Sequence, residues 1–271
     1  MTSLQTTISL SDGHAIPIFG LGVYKMTDEE ASLAVHKALR YGYRLIDTAA
    51  MYENEQAVGE AIREAVVQGI PEDEIFITTK VWKTELGYEK TRQAVLASYE
   101  KLGLHTIDLV LIHWPGTEEE NAESWRALEE LVNEGKITSI GVSNFSEEDL
   151  KQLFKTAKIK PVLNQVELHP LLSQEGLQSF CQEHEIVLES WSPLMRGRLL
   201  EHPLLTDIAE KYNKETAQVI LRWNVQRGII PIPKSSKEER IESNADIFDF
   251  DLTDEEMEKI SAINEDRGFH G

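Results

Sequence analysis

A single cysteine, Cys181, excludes an internal disulfide and leaves no thiol cluster to hold a metal; it sits in a helical run and reads as core. No stretch of 18 apolar residues is present, so no membrane-spanning helix is expected. Met1-Thr-Ser-Leu-Gln lacks the basic start and apolar run of a signal peptide, and the expected setting is cytoplasmic and reducing. Basic residues are scarce: 27 Lys and Arg stand against 47 Asp and Glu, for a net charge of −20. That argues against an extended nucleic-acid surface, which needs a basic face. Where cations do cluster, they should mean something local. The glycine pattern of a Rossmann fingerprint is missing as well, since Gly20-Leu-Gly22 alone is far too weak. His169, His184 and His202 are separated and lack metal-ligand spacing, so no metal site is expected.

What is there is a core-forming chain of 271 residues, 41% of them hydrophobic. Thr6–Leu10 and Ala15–Ile18 flank Asp12-Gly13, which signals a hairpin over about 6–18 that caps or plugs the repeat to come. From Phe19 onward short apolar strands alternate with amphipathic helical stretches. The strands expected are Phe19–Leu21, Tyr43–Ile46, Ile75–Thr79, Ile107–Ile112, Ile137–Val142, Leu163–Val166, Ile186–Ser190 and Gly228–Ile232. Helices fill the gaps, among them Asp28–Tyr41, Tyr88–Leu102, Glu119–Asn133, Glu147–Ala157, Gln174–Glu183 and Thr216–Arg227. Pro193 to Pro203 reads as an irregular insertion before the seventh helix. Lys237–Asn244 and Thr253–Ile263 follow the last strand. Eight strands with helices between them make a parallel sheet, and eight is the number that closes a (β/α)8 barrel. The expectation is one barrel domain over 1–271, with an N-terminal hairpin and an extra C-terminal helix.

Barrel chemistry sits at the C-terminal strand ends, and these ends are rich here. Gly20-Leu-Gly-Val-Tyr24 follows the first strand, and Asp47 with Tyr52 the second. Lys80-Val-Trp82 ends the third, His113-Trp-Pro115 the fourth, and Ser143-Asn144 the fifth. Asn164-Gln165, with Glu167 and His169, ends the sixth, Trp191 the seventh, and Pro233-Lys-Ser-Ser236 the eighth. One such residue is usually structural, and an Asp–Lys pair reads equally well as a barrel ion pair. Polar or aromatic groups at eight ends in register are harder to explain by stability. Glu53, Asn54 and Glu55 look like the polar first turn of the helix after Tyr52.

These same residues resemble the aldo-keto reductase family over nearly the whole chain. The match runs through Gly42-Tyr-Arg-Leu-Ile-Asp-Thr-Ala-Ala-Met-Tyr-Glu-Asn-Glu55 with Gly59, Lys80-Val-Trp, His113-Trp-Pro, Gly141-Val-Ser-Asn-Phe145, Asn164-Gln165 and Ile232-Pro-Lys-Ser-Ser236. Glu189-Ser-Trp-Ser-Pro-Leu194 and a short tail point within it toward the bacterial 2,5-diketo-D-gluconate reductases. The resemblance implies a catalytic tetrad of Asp47, Tyr52, Lys80 and His113. The residue types suit carbonyl reduction, in which negative charge grows on an oxygen and a nearby acid removes it. A phenol is a reluctant acid, and an adjacent ammonium, Lys80, is expected to lower its pKa. Asp47 would fix Lys80, and His113 would orient the carbonyl oxygen. His113 is also the rival for the acid itself, its ordinary pKa being nearer neutrality.

None of these side chains carries hydride, so a nicotinamide cofactor is required. By resemblance, Ser143, Asn144 and Gln165 would bind its carboxamide and Trp191, a Tyr in many relatives, would stack on the ring. Gly22, Val23, Tyr24, Ser192, Leu194, Gly197 and Leu199 would line the nucleotide. Lys234, Ser235, Ser236, Arg240 and Asn244 make a cationic helix start in an acidic protein, which suits the 2′-phosphate of NADPH; Ser235 and Ser236 can cap that helix. A solvated helix start is the plainer alternative, favoured by Glu238, Glu239 and Glu242. Tyr24, Trp82, His113 and Trp114 would wall the substrate pocket. The tail after Ile263 is short, which implies an open, tolerant site. The expected molecule is a monomeric NADPH-dependent reductase of aldehydes and ketones, meeting neither nucleic acid nor membrane. Its rivals are a barrel hydrolase using Asp47 or Glu167 and a non-catalytic nucleotide-sensing subunit.

Overall fold

The computed structural model describes residues 2–269. A hairpin of β1 (Thr7–Ser9) and β2 (Ala15–Pro17) precedes eight parallel strands. These are β3 (Leu21–Gly22), β4 (Leu45–Asp47), β5 (Phe76–Val81), β6 (Ile107–Ile112), β7 (Ile137–Ser143), β8 (Leu163–Glu167), β9 (Val187–Trp191) and β10 (Ile230–Pro231). Each pairs with its neighbour in chain order. The ring closes where the chain just beyond β10 meets β3: Gly20 N–H donates to Pro231 O at 3.1 Å, Gly22 N–H donates to Pro233 O at 3.3 Å, and Gly22 bridges Lys234. The architecture is the (β/α)8 barrel that the strand count implies.

Around it run α1 (Asp28–Arg40), α2 (Glu55–Val67), α3 (Tyr88–Leu102), α4 (Glu118–Asn133), α5 (Glu147–Leu153), α6 (Glu175–Glu183), α7 (Pro203–Tyr212), α8 (Thr216–Gln226), α9 (Glu238–Ala245) and α10 (Asp254–Ser261). Several start where the sequence writes a reciprocal cap, Thr27 with Glu30, Thr117 with Glu120, Ser146 with Asp149 and Thr253 with Glu256. Gly59 is required where α2 passes the end of α3, because a Cβ there would lie 2.0 Å from Leu102 O.

Side chains alternate across each strand. One face packs outward on the helices, as Ile46, Ile77, Val110, Ile140 and Leu188 do. The inward face begins with an apolar layer of Leu45, Phe76, Leu109, Leu163 and Ile230, on which Leu10 and Ile16 of the hairpin close the bottom. Two to four residues further along, the same inward parity delivers Asp47, Lys80, His113, Ser143, Gln165, Glu189 and Trp191 toward the C-terminal mouth. A dry plug below and polar groups above follow from one periodicity.

Strand bounds differ from expectation by one or two residues. The first strand is Leu21–Gly22 rather than Phe19–Leu21, the third runs on to Val81, and the seventh runs on to Trp191. Between β9 and α8 stands an additional helix, α7, entered through Pro203 at its first position, where a missing N–H costs nothing.

Candidate active site

Three elements converge on one ammonium. Asp47 ends β4, Lys80 lies in β5, and Tyr52 ends a single 3-10 turn, Ala50–Tyr52, that leads to α2. Lys80 Nζ donates to Asp47 Oδ1 at 2.7 Å, to Thr48 O at 2.8 Å and to Tyr52 Oη at 3.3 Å. An ammonium has three protons, and all three are used. Burial works against the charge, but Asp47 and then Tyr52 outweigh it and hold Lys80 above the ordinary lysine range. Burial likewise pushes the Asp47 carboxyl up, while Lys80 and the Gln165 amide pull it down. The Lys80 ammonium and the Gln165 amide both donate to that carboxylate, which opposes the effect of burial.

The Tyr52 phenol is pushed up to about 12, by burial first; the pull of Lys80 is smaller and Asp47 opposes it. The expected lowering by the ammonium is thus corrected: Lys80 lowers the value, but desolvation wins. His113, just past β6, is driven down to about 2 by burial and by Lys80, so its ring is neutral. Its edge meets Trp82 at 5.0 Å and Tyr52 at 5.8 Å between ring centroids, and Tyr24 lies 5.0 Å from Tyr52. These aromatics line one side of the mouth, and Trp114 next to His113 is partly buried there.

Next around the mouth, at the ends of β7 and β8, Ser143 Oγ donates to Gln165 O at 2.9 Å. The Asn144 amide donates to His113 O and to Ser143 Oγ, both at 3.0 Å. Trp191 Nε1 in turn donates to Asn144 Oδ1 at 2.8 Å, so the indole at this position anchors its neighbour, which a phenol ring could not do in the same way. Left-handed backbone clusters around this wall, at Asn144 (φ 61°), Ser192 (φ 52°), Met195 (φ 47°) and Arg196 (φ 52°). Such strain in non-glycine residues is characteristic of functional loops. It falls on the irregular stretch that carries Leu194, Gly197 and Leu199.

The cationic helix start differs from expectation in its capping. Lys237, rather than a serine, occupies the position before α9, and no side chain caps the helix. Ser235 Oγ instead accepts from Lys237 N at 3.2 Å, closing the turn ahead of it. Lys234, Lys237 and Arg240 are exposed around uncapped N–H groups, while Asn244 is buried a turn further on. Glu238, which spoke for a merely solvated helix start, pairs with Lys37 at 3.1 Å and accepts from Tyr41 at 3.3 Å. This is a fitting cradle for a phosphate.

Four contributions were not legible as such in the sequence. Asn54 stands at the start of α2 as expected, but its side chain does not cap the helix and is instead a buried clamp: it accepts from Thr48 Oγ1 at 2.8 Å and donates to Val23 O and Met26 O, tying the Tyr24 loop to the Tyr52 loop. Glu55 is buried beside it and accepts from Thr79 Oγ1 at 2.6 Å. Glu189 is fully buried on β9, below Trp191 on the same face, and its parity with Trp191 was the available signal. The segment after α10 reaches the mouth: Phe269 N–H donates to both oxygens of Glu167, and its ring stacks toward Trp191 at 6.5 Å and under Arg196 at 4.1 Å. Glu167 is further bound to His169 at 3.1 Å and Asp47 to Lys80, so both carboxylates are engaged within the protein.

The sequence matches the model of the aldo/keto reductase family over residues 18–265. It is 53% identical over 266 residues to a protein of Bacillus subtilis named glyoxal reductase, covering 98% of this chain and 95% of that one. An aldo-keto reductase from a deep-sea metagenome library superposes with a TM-score of 0.94 at 42% identity, covering 97% of both chains. The Bombyx mori aldo-keto reductase solved in complex with NADP superposes at 0.92 with 36% identity, covering 99% of this chain and 95% of that one. The family as a whole, rather than its sugar-acid branch, is what these likenesses support. A barrel with this mouth, matched along almost all of its length, belongs to the aldo/keto reductase family.

Proposed function

We propose that this NADPH-dependent carbonyl reductase uses Tyr52 as its general acid and acts on small aldehydes, ketones and dicarbonyls in the cytosol, as a monomer. NADPH, when bound, supplies the hydride. Ser143, Asn144 and Gln165 would hold its carboxamide, Trp191 its ring, Gly22, Val23, Tyr24, Ser192 and Leu194 its middle, and Lys234, Ser235, Ser236, Arg240 and Asn244 its 2′-phosphate end.

The observation that carries the acid assignment is the hydrogen-bond direction at Lys80. Because Tyr52 Oη accepts from an ammonium whose other two protons are spent, its own proton points elsewhere, toward the mouth. As charge grows on the substrate oxygen, that proton leaves the phenol, and the phenolate formed is met at once by Lys80. The ammonium therefore works on the departing proton although the resting phenol stays firmly protonated. His113 cannot be the acid at neutral pH, since a neutral imidazole has no proton of suitable acidity. With its Nδ1 sealed off without a partner, His113 carries its proton on Nε2 and orients the oxygen with it. Tyr24, Trp82 and Trp114 exclude water around the carbonyl.

A panel of carbonyl compounds that includes glyoxal, methylglyoxal and aromatic aldehydes, followed by NADPH absorbance, tests this reading. Turnover of several unrelated members is expected. No consumption of NADPH with any of them would overturn it.

A further inference from the structure

Gln165 and Glu189 face each other directly across β8 and β9. The Gln165 side-chain nitrogen is claimed twice, donating to Asp47 Oδ2 at 2.8 Å and to Glu189 Oε2 at 2.5 Å. A primary amide nitrogen has two protons, so both are committed to carboxyl groups. The reverse rotamer of the amide would press its oxygen against the ionised Asp47, and the network forbids it. Gln165 Oε1 takes no bond from any described residue, yet it is not among the sealed, unpaired atoms of the interior, a set that does include Glu189 Oε1. It is the part of the amide left for something at the mouth.

We propose that Glu189 is a positioning residue: with Asp47 it holds the Gln165 amide by both N–H groups, presenting Gln165 Oε1 as a fixed acceptor for the NH2 of the nicotinamide carboxamide. This rests on the cofactor reading above and adds the group that enforces it. Two anchors matter because one would leave the amide free to swing about the Asp47 bond. The second anchor also avoids adding charge beneath the ring: burial, and next the Asp47 carboxylate, push the Glu189 carboxyl up to about 8, so at pH 7 it accepts from Gln165 as a neutral acid. Glu189 touches neither cofactor nor substrate in this scheme; it acts through Gln165.

The discriminating probe is the 3-acetylpyridine analogue of NADP+, which replaces the carboxamide NH2 by a methyl group and removes the donor. Binding of NADP+ and of the analogue is measured by tryptophan-fluorescence titration on the wild type, Glu189→Ala and Glu189→Gln. The wild type should prefer NADP+ by about 3- to 10-fold, the worth of one hydrogen bond. Glu189→Ala should bring that ratio close to one, chiefly by weakening NADP+, and Glu189→Gln should restore it, because its amide oxygen can still accept from Gln165. Should Glu189→Ala fail to fold, Gln165→Leu replaces it and must abolish the same preference. A preference that survives either substitution, or equal losses for both nucleotides, overturns the proposal. So does a wild type that binds both alike. A wild type that binds neither refutes the cofactor reading itself, a separate outcome.

Discussion

Lys80 donates to Tyr52 Oη across 3.3 Å, and the phenol is thereby the acceptor in the only bond it makes with the ammonium. Among the described residues the same ammonium is the cation paired with Asp47, both side chains being almost wholly inaccessible. Lys80→Met should therefore do two things at once. It strands the Asp47 charge, which should lower stability by roughly 3–5 kcal/mol, as breaking a buried pair does. It also removes the group that receives the phenolate. Chemical denaturation of Lys80→Met and of Lys80→Met with Asp47→Asn separates the effects: the double variant should regain most of the stability and none of the activity. If the single variant is as stable as wild type, the pair is not buried as described.

The acid–base groups give an unusual pH profile. His113 is held at about 2, far below the ordinary 6.5, and Tyr52 at about 12, above the ordinary 10.0. Across pH 5.5 to 9 one stays neutral and the other protonated. The single-turnover rate should therefore show no histidine-like inflection near 6.5. A clear inflection there that vanishes in His113→Ala would contradict the neutral imidazole.

Much of this was legible in the chain. Strand ends carrying Asp47, Lys80, His113 and Trp191 stand out because parallel barrel strands are short, apolar and punctuated by polar residues. What the pattern could not deliver was the balance of opposing effects. Lys80 lowers the phenol and burial raises it, and only the packed depth of the site decides the sign. Glu189 sits inside an apolar run, where a carboxyl looks misplaced until Asp47 and Gln165 are brought to it from strands far away in sequence. Phe269 offers no local pattern at all, since its place is set by Glu167 a hundred residues earlier. Asn54 reads as a helix start and stands at one, while its burial is a tertiary fact.

At the far end of the cofactor cradle, Arg240 stands exposed beside an uncapped helix start. Arg240→Ala should weaken NADPH binding by about 1.5–3 kcal/mol, the range for a hydrogen bond to a charged group, and leave NADH nearly unchanged. Calorimetric titration with each nucleotide checks it. Equal losses for both would place Arg240 on the pyrophosphate or in the structure.

Glu189 should leave a signature in stability. Its folded carboxyl, at about 8, binds a proton more tightly than the ordinary carboxyl at 4.5. Its contribution is fully present below pH 4.5 and is lost as pH rises through 8. Melting temperatures of wild type and Glu189→Gln from pH 5 to 8.5 should therefore diverge, with wild type losing ground as pH increases. Parallel curves would mean that Glu189 is ionised throughout.

The acid assignment is tested most directly by Tyr52→Phe, which removes one hydroxyl and keeps the ring against Tyr24 and His113. With NADPH bound beforehand, the single-turnover rate should fall by roughly 10²–10⁴-fold, the worth of a positioned general acid. NADPH affinity and melting temperature should barely change. Near-normal hydride transfer in Tyr52→Phe, together with its abolition in His113→Ala, would contradict the account and make His113 the proton donor.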